Sequence, residues 1–188
     1  MTDDVILKAA HVLTKGGLIL YPTDTVWGIG CDATNETAVQ RIFRLKKRFN
    51  EKSMIILSAS VKDIEPYVVT LSSLHRQLLS ENTYPQTVIL PNACRLAPSV
   101  IPLEKTIAVR CPQHDFCQRL LKIFQKPIVS TSANVSGEKT PTALSEITDT
   151  IRNGVDFIVP KRYDTNATKR ASRIITIDEN NQIIILRK

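Results

Sequence analysis

Apolar residues recur at helical spacing over Val5, Ala9, Val12 and Leu13. Thr2 or Asp3 stands ahead of them as an N-cap and Gly16-Gly17 behind them as a stop, so the pattern predicts a helix ending near Lys15. The period then changes. Leu18-Ile19-Leu20-Tyr21 is an unbroken apolar run, long enough for one buried strand, and Pro22, with no N–H for a ladder, closes it. A second helix is predicted from a Thr34 or Asn35 cap, with Ala38, Val39, Ile42 and Phe43 inward. Strands are expected at Met54–Leu57, Thr87–Leu90, Thr106–Arg110, after Pro127, and at Phe157–Val159. Helices are expected over Ser72–Glu81, with Leu74, Leu78 and Leu79 inward, and over Asp115–Gln125, with Phe116, Leu120, Ile123 and Phe124 inward. Another of about ten residues should follow Thr140-Pro141-Thr142. The chain closes as a hairpin, Ser172–Asp178 and Gln182–Arg187 about an Asn180-Asn181 turn. Strands alternating with helices before a terminal hairpin predict the α/β class with a mixed sheet.

Two junctions break this regularity. Tyr21 runs into Pro22-Thr23-Asp24-Thr25-Val26-Trp27-Gly28-Ile29-Gly30, too rich in hydroxyls for a core and too apolar for an ordinary surface loop. Pro127-Ile128-Val129 likewise runs into Ser130-Thr131-Ser132-Ala133-Asn134-Val135-Ser136-Gly137. One such junction is a turn whose glycines relax the backbone; two read as opposite walls of a polar pocket at strand ends. The second helix ends in Arg44, Lys46, Lys47 and Arg48, with Lys52 following. Such cations suit a helix C-terminus, yet there are more than capping needs. Lys46 and Arg48, two apart, share a side only if the helix is already unwinding. The loop from Lys46 to Lys52 is therefore either a phosphate cradle or a solvated basic turn. Arg110 closes an apolar strand, where a buried guanidinium needs either an anion to point at or a structural carboxylate to pair with.

The 188 residues fit one domain spanning 1–188, and 43% hydrophobic with 23% charged residues is ordinary globular composition. The net charge of +7 permits an anionic partner such as a nucleotide or RNA. Cys31, Cys94, Cys111 and Cys117 form no CxxC pair, and no histidine stands at zinc-finger spacing, which predicts free thiols in a reducing cytoplasm. The acidic Met1–Asp4 start does not resemble a signal peptide, and no apolar run approaches the roughly 20 residues of a membrane span, so no membrane association is expected. Gly28-Ile29-Gly30-Cys31-Asp32-Ala33 matches GxGxxA, but it lies well past the strand and no acidic residue ends Met54–Leu57 to hold a ribose, which argues against a dinucleotide site. There is no P-loop, no HExxH and no carboxylate cluster for a metal; Cys111 and His114 lack an evident third partner for nucleophilic catalysis. What remains is chemistry by positioning and charge stabilisation on phosphate.

In combination, order and spacing these stretches resemble the YrdC-like family of L-threonylcarbamoyladenylate synthases, from Gly16 to Arg187. The resemblance rests on Tyr21–Ala33 (YPTDTVWGIGCDA), Lys46-Lys47-Arg48, Thr106–Pro112 (TIAVRCP), Ser130–Gly137 (STSANVSG), Thr140–Thr142, and Ala171–Asp178 (ASRIITID) followed by ILRK at 185–188. It implies a twisted mixed α/β sheet flanked by helices around a central positively charged cavity. It implies a nucleotidyltransferase joining L-threonine, bicarbonate and ATP, with Mg²⁺ accompanying the ATP, into threonylcarbamoyl-AMP and pyrophosphate for tRNA modification. tRNA or double-stranded RNA and downstream tRNA-modification proteins are the implied partners. By the same resemblance Thr25, Arg110, Ser130 and Ser172 would bind threonine. Lys46, Arg48, Lys52, Thr106, Ser132, Asn134, Thr140 and Arg187 would line the ATP subsite, with Lys46 and Arg48 catalytic.

The chain also departs from the family pattern. Trp27 stands for a tyrosine, Phe49 for a proline, and Ser53-Met54 for proline-leucine. Leu57 stands where a histidine sometimes ends the strand, Tyr84-Pro85-Gln86-Thr87 shortens a longer segment, and Ala171-Ser172-Arg173 replaces glutamate-serine-threonine. Two other readings are therefore carried: a YciO-like paralogue with weak or different adenylation, and a non-catalytic RNA-binding module built on the basic loops at 46–52 and 161–173.

Overall fold

The computed structural model describes residues 3–48, 54–81 and 83–188. Nine strands form one sheet: β1 Ile19–Tyr21, β2 Gly28–Asp32, β3 Ile55–Leu57, β4 Gln86–Leu90, β5 Ile107–Arg110, β6 Ile128–Ser132, β7 Phe157–Ile158, β8 Arg173–Ile177 and β9 Ile183–Arg187. The helices are α1 Asp4–Thr14, α2 Glu36–Leu45, α3 Val61–Ile64, α4 Ser73–Ser80, α5 Asp115–Phe124 and α6 Asp149–Asn153. The strand order is β7-β1-β2-β6-β3-β5-β4-β8-β9. Three neighbouring pairs are parallel (β1–β7, β3–β5 and β4–β8) and the other five antiparallel, so the sheet is mixed, as the alternation of elements predicts.

Both faces of the sheet are covered, which explains why its inner strands read as continuous apolar runs rather than alternating ones. Ile19, Tyr21, Leu57 and Ile128 turn towards Ile6, Ala9 and Leu13 of α1 and Phe116, Leu120 and Phe124 of α5. Their neighbours Leu18, Leu20, Ile56 and Val129 turn the other way, towards Ala38, Val39 and Ile42 of α2 and Leu78 and Leu79 of α4. One residue's shift along any of these strands would exchange the two sets.

Helix starts follow the chemistry of their caps. Asp3 accepts from the Val5 N–H at 3.0 Å, Asn35 from the Ala38 N–H at 3.1 Å, and Ser72 from the His75 N–H at 3.3 Å. Four expectations need correction. In α4 Leu74 is only half-buried, and His75 joins Leu78 and Leu79 on the inner face. In α1 the buried positions are Ile6, Ala9, Ala10 and Leu13, with Val5 and Val12 only half-buried. In α5 Ile123 is exposed, and Cys117 and Leu121 take the inner face instead. The helix expected after Thr142 is broken into a 3-10 turn, Leu144–Glu146, and the short α6. The Thr142 N–H and hydroxyl both donate to the Glu146 carboxylate, and Thr148 holds the extended backbone of an N-cap; such side-chain competition stops the first segment from continuing as an α-helix.

The largest departure lies after Tyr21. The glycines of Gly28-Ile29-Gly30 open a strand of their own, paired with β1 on one side and β6 on the other. A Cβ on Gly30 would stand 2.8 Å from Tyr21 Cε1, 2.8 Å from the Val129 carbonyl oxygen and 2.9 Å from Ile128 Cγ2. Packing across three strands, not a turn, demands this glycine. Gly30→Ala should therefore destabilise the protein by about 1–3 kcal/mol through overpacking, read as a lower urea midpoint with an unchanged m-value.

Candidate active site

Three pieces of backbone meet at one end of the sheet: the segment between β1 and β2, the end of β5, and β6 with the turn beyond it. With the end of α2 and the terminal hairpin they enclose a cavity of about 290 Å³ whose lining includes Thr25, Arg48, Arg110, Ser132, Ser172 and Arg187. Gly28, Ser130 and Thr140 also line it. Thr106, Asn134 and Lys46 do not appear among the lining residues, and Lys52 lies outside the described residues.

Arg110, at the end of β5, is 4% exposed. Of the two partners that the sequence left as alternatives, the structure supplies the carboxylate. Its Nη1 stands 3.3 Å from Asp24 Oδ1, and its side chain faces the cavity. Asp24 is fixed in turn by the Gln113 N–H, which donates to Oδ2 at 3.1 Å. Arg110 Nη1 also donates to Thr25 Oγ1 at 2.8 Å. Thr23 spends its hydroxyl proton on the Val26 carbonyl at 2.8 Å, so the 2.8 Å contact between the two threonine hydroxyls has Thr25 as donor. The protons therefore run one way, Arg110 to Thr25 to Thr23 to the Val26 carbonyl. Thr23, the sequence's alternative to Thr25, and Asp24, which the sequence reading did not single out, complete the arrangement. The signal for Asp24 was the general need of a buried arginine for a carboxylate.

A strap holds this segment down. The N–H groups of Thr168 and Lys169 donate to the carbonyls of Asp24 and Thr25, each at 2.9 Å, and Trp27 Nε1 donates to Asp164 Oδ2 at 2.8 Å. The basic stretch after Pro160 thus packs its backbone against the site.

The end of α2 resolves the problem of Lys46 and Arg48. Lys46 caps the helix and Lys47 adopts a left-handed φ of 50°. The Lys47 N–H donates to the Arg44 carbonyl and the Arg48 N–H to the Phe43 carbonyl, the paired bonds of a Schellman ending made without glycine. The helix has unwound by Lys46, and Lys46 and Arg48 both reach β6 and its turn. Arg48 Nη1 lies 3.5 Å from Thr131 Oγ1 and its side chain lines the cavity. Lys46 is 2% exposed, and its ammonium donates to the carbonyls of Ser132 and Asn134. Burial, and secondarily the Arg48 charge, push the Lys46 pKa down to about 8. Asn134 turns its amide Nδ2 to the carbonyls of Val135 and Glu138, both at 2.9 Å, so it shapes the turn.

The opposite wall comes from the terminal hairpin. Ile174 pairs with Arg187 but Ile175 with Ile185, so Leu186 is an extra residue in β9. Such a bulge re-aims the next side chain. Arg187 Nε donates to the Ser172 carbonyl at 3.0 Å and Nη2 to Ser172 Oγ at 3.3 Å, while Ser172 shares a 2.7 Å hydrogen bond with Thr87. Burial and the charge of Arg110 both lower the Arg187 pKa, so two guanidiniums bear on one space. The arrangement can hold an anion between Arg110 and Arg187, present hydroxyls to polar substrate atoms, and bring Arg48 to a second anionic group. Among the described residues no group of three or more histidine, cysteine, aspartate or glutamate side chains is arranged to hold a metal ion, and all four cysteines are free thiols.

Comparison with known proteins gives a consistent picture. Residues 11–188 match the model of the Sua5/YciO/YrdC family, described as "Telomere recombination". The threonylcarbamoyl-AMP synthase of Hydrogenovibrio crunogenus is 38% identical over 147 residues, covering 74% of this chain and 77% of that one. The threonylcarbamoyl-AMP synthase of Idiomarina loihiensis is 34% identical over 179 residues, covering 94% and 95%. Among solved structures, P. abyssi Sua5 complexed with L-threonine superposes with a TM-score of 0.85 at 28% identity over 97% of this chain; the chain spans 53% of that protein's length. E. coli YciO, at 24% identity and a TM-score of 0.81, shares the fold over 98% of this chain and 89% of its own.

His114, 4% exposed, precedes α5 beside the Arg110–Asp24 pair. Burial lowers its pKa below the ordinary 6.5, against the pull of the Asp24, Asp164 and Asp115 carboxylates and the Thr165 backbone. The unfolded chain then binds a proton that the folded chain refuses, so stability present above pH 6.5 falls as pH drops below it. His114→Gln should flatten that part of the acid slope, seen as a wild-type advantage in urea unfolding that shrinks between about pH 7.5 and 5.5.

Proposed function

The chain belongs to the Sua5/YciO/YrdC family, and from that premise we propose that it is a threonylcarbamoyl-AMP synthase, a nucleotidyltransferase acting on L-threonine, bicarbonate and ATP in tRNA modification. The observation that carries the reading is Arg110, a buried guanidinium pinned by Asp24 and Thr25 while its side chain faces the cavity. A planar fork in that position suits the α-carboxylate of threonine, and the hydroxyls of Thr25, Ser130 and Ser172 around it suit the amino and hydroxyl groups of the same small substrate.

The proposed reaction needs no covalent protein intermediate. The threonine amine and bicarbonate combine to a carbamate with loss of water. A carbamate oxygen then attacks the α-phosphorus of ATP, the bond from that phosphorus to the α,β-bridging oxygen breaks, and pyrophosphate leaves. Arg48 faces the phosphates, together with Ser132, Thr140 and Arg187. Lys46 acts through the Ser132 and Asn134 carbonyls, holding the turn at the height the phosphates require, so its part is positioning as well as charge. Magnesium bound with ATP would supply positive charge against the phosphates, with none of the described side chains needed to hold it. Lys52, Thr106 and Asn134 are carried as nucleotide contacts on the family resemblance alone. Threonylcarbamoyl-AMP would then pass to the proteins that modify tRNA. The setting is the cytoplasm, where ATP and reduced thiols coexist; among the described residues no helix is long and apolar enough to cross a membrane.

The test is pyrophosphate release from ATP with threonine and bicarbonate each supplied or withheld. Release that requires both is expected. Release indifferent to threonine would assign the cavity to a different acyl acceptor, and no release under any condition would end the synthase reading.

A second experiment isolates Arg110. Arg110→Lys keeps the charge and loses the fork, so it should raise the KM for threonine roughly ten- to hundredfold, the worth of one or two charge-assisted hydrogen bonds. The KM for ATP should move far less. Equal rises in both would place Arg110 in the general architecture instead.

A further inference from the structure

β9 is the last strand of the sheet, and among the described strands only β8 pairs with it. Ile183, Ile184, Ile185 and Leu186 are 45%, 42%, 45% and 56% exposed, four aliphatic side chains in succession on an open edge. Natural sheets guard such edges with a proline or a lysine in mid-strand, or by making the strand short. The other edge follows that rule, since β7 has two residues. β9 has five, with no proline and no charge before Arg187. Its bulge, at Leu186, disturbs only the far end.

We infer that β9 is an interface, paired antiparallel with β9 of a second copy of this chain about a two-fold axis through Ile184. The register follows from hydrogen-bond parity. The Asp178 N–H donates to the Gln182 carbonyl at 3.0 Å, which makes 178 and 182 a hydrogen-bonded pair. Two steps along, Thr176 and Ile184 form the next such pair. Ile184 therefore spends its N–H and C=O on β8, whereas those of Ile183 and Ile185 point outward. An antiparallel partner must set outward groups against outward groups. Ile183 then faces Ile185 of the partner subunit, and the reverse, giving four backbone hydrogen bonds, while Ile184 faces its own copy across the axis. Centring the pair on Ile185 would drive the bulged Leu186 into the middle of the ladder; centring it on Ile184 leaves the bulge at the rim.

Charge supports the same register. Lys188, past the bulge, comes to lie against the turn of the partner subunit that carries Asp178 and Glu179, so each strand's basic end meets the other's acidic turn. Ile183 and Ile185 on one side of the strand and Ile184 on the other are aliphatic, which fits a protein edge of the same kind, with Arg170, Arg173 and Lys188 flanking Ile185 at the end of the patch. Such pairing would also steady the strand that carries Arg187 into the cavity.

The experiment is solution mass by sedimentation equilibrium, up to about 100 µM, a concentration that populates any dimer whose Kd is at or below that value. The expected mass at the upper end is twice 21.0 kDa. Ile184→Lys sets two ammonium groups against each other on the axis and should return the mass to 21.0 kDa with circular dichroism and thermal unfolding unchanged, because the side chain it replaces is already 42% exposed. Glu179→Lys alone should weaken the dimer, and adding Lys188→Glu should restore it, a reciprocity that loss of folding cannot imitate. A wild-type protein that stays at 21.0 kDa throughout overturns the inference, as does a dimer indifferent to Ile184→Lys and to the charge exchange.

Discussion

A guanidinium held out of water sets the terms for this structure. Arg110 is 4% exposed, and a charge so placed is costly unless it is paired and hydrogen-bonded. Asp24 and Thr25 supply the pairing, and neither is free to do so unaided. Asp24 is tied by the Gln113 N–H, Thr25 by Thr23, and the whole segment by the two backbone bonds from Thr168 and Lys169. The polar interior is thus a chain of obligations that begins at one strand end and reaches the strap more than 50 positions later. Removing a middle member would leave a buried charge short of a partner, which costs more than the pair itself contributes.

The phosphate-facing side is built by a different device. A helix that ended on glycine would leave no side chain at the turn. Here Lys47 takes the left-handed position, at some backbone cost, and Lys46 and Arg48 leave the helix on the same side. Lys46 then meets two carbonyls at the end of β6, where the sheet stops and the turn to Gly137 has begun. One cation serves the architecture so that the neighbouring one can serve the cavity. The bulge in β9 does the same for Arg187 by adding a residue where the strand would otherwise alternate past the site.

These devices share a geometric logic. Each lies at the end of a regular element, where backbone groups are unsatisfied and side chains can be aimed without disturbing the two packed faces of the sheet. The cavity is the place where three such ends coincide, with sheet residues Ile55, Ile89, Ala108 and Ile174 also in its lining.

The sequence alone determined the local elements and the chemistry on offer. Periodicity specifies α2 and its inner face, a cap at Thr34 or Asn35 marks its start, and two hydroxyl-rich junctions announce a polar pocket, because these are short-range matters of period and hydrogen-bonding competition. Thr25, Arg48, Arg110, Ser130, Ser132, Thr140, Ser172 and Arg187 were all named through the resemblance to the family, and all line the cavity. Tertiary structure decided the rest. Gly28 and Gly30 look like turn residues until β1 and β6 close on either side of them. Lys46 looks like a phosphate ligand alone until two carbonyls, 86 and 88 positions away, take two of its ammonium's three donors. Asp24 is one acidic residue among 18 until β5 brings Arg110, 86 positions on, within 3.3 Å of it. Pairings over such separations leave no period in the chain; they exist only once the sheet has brought distant strand ends together.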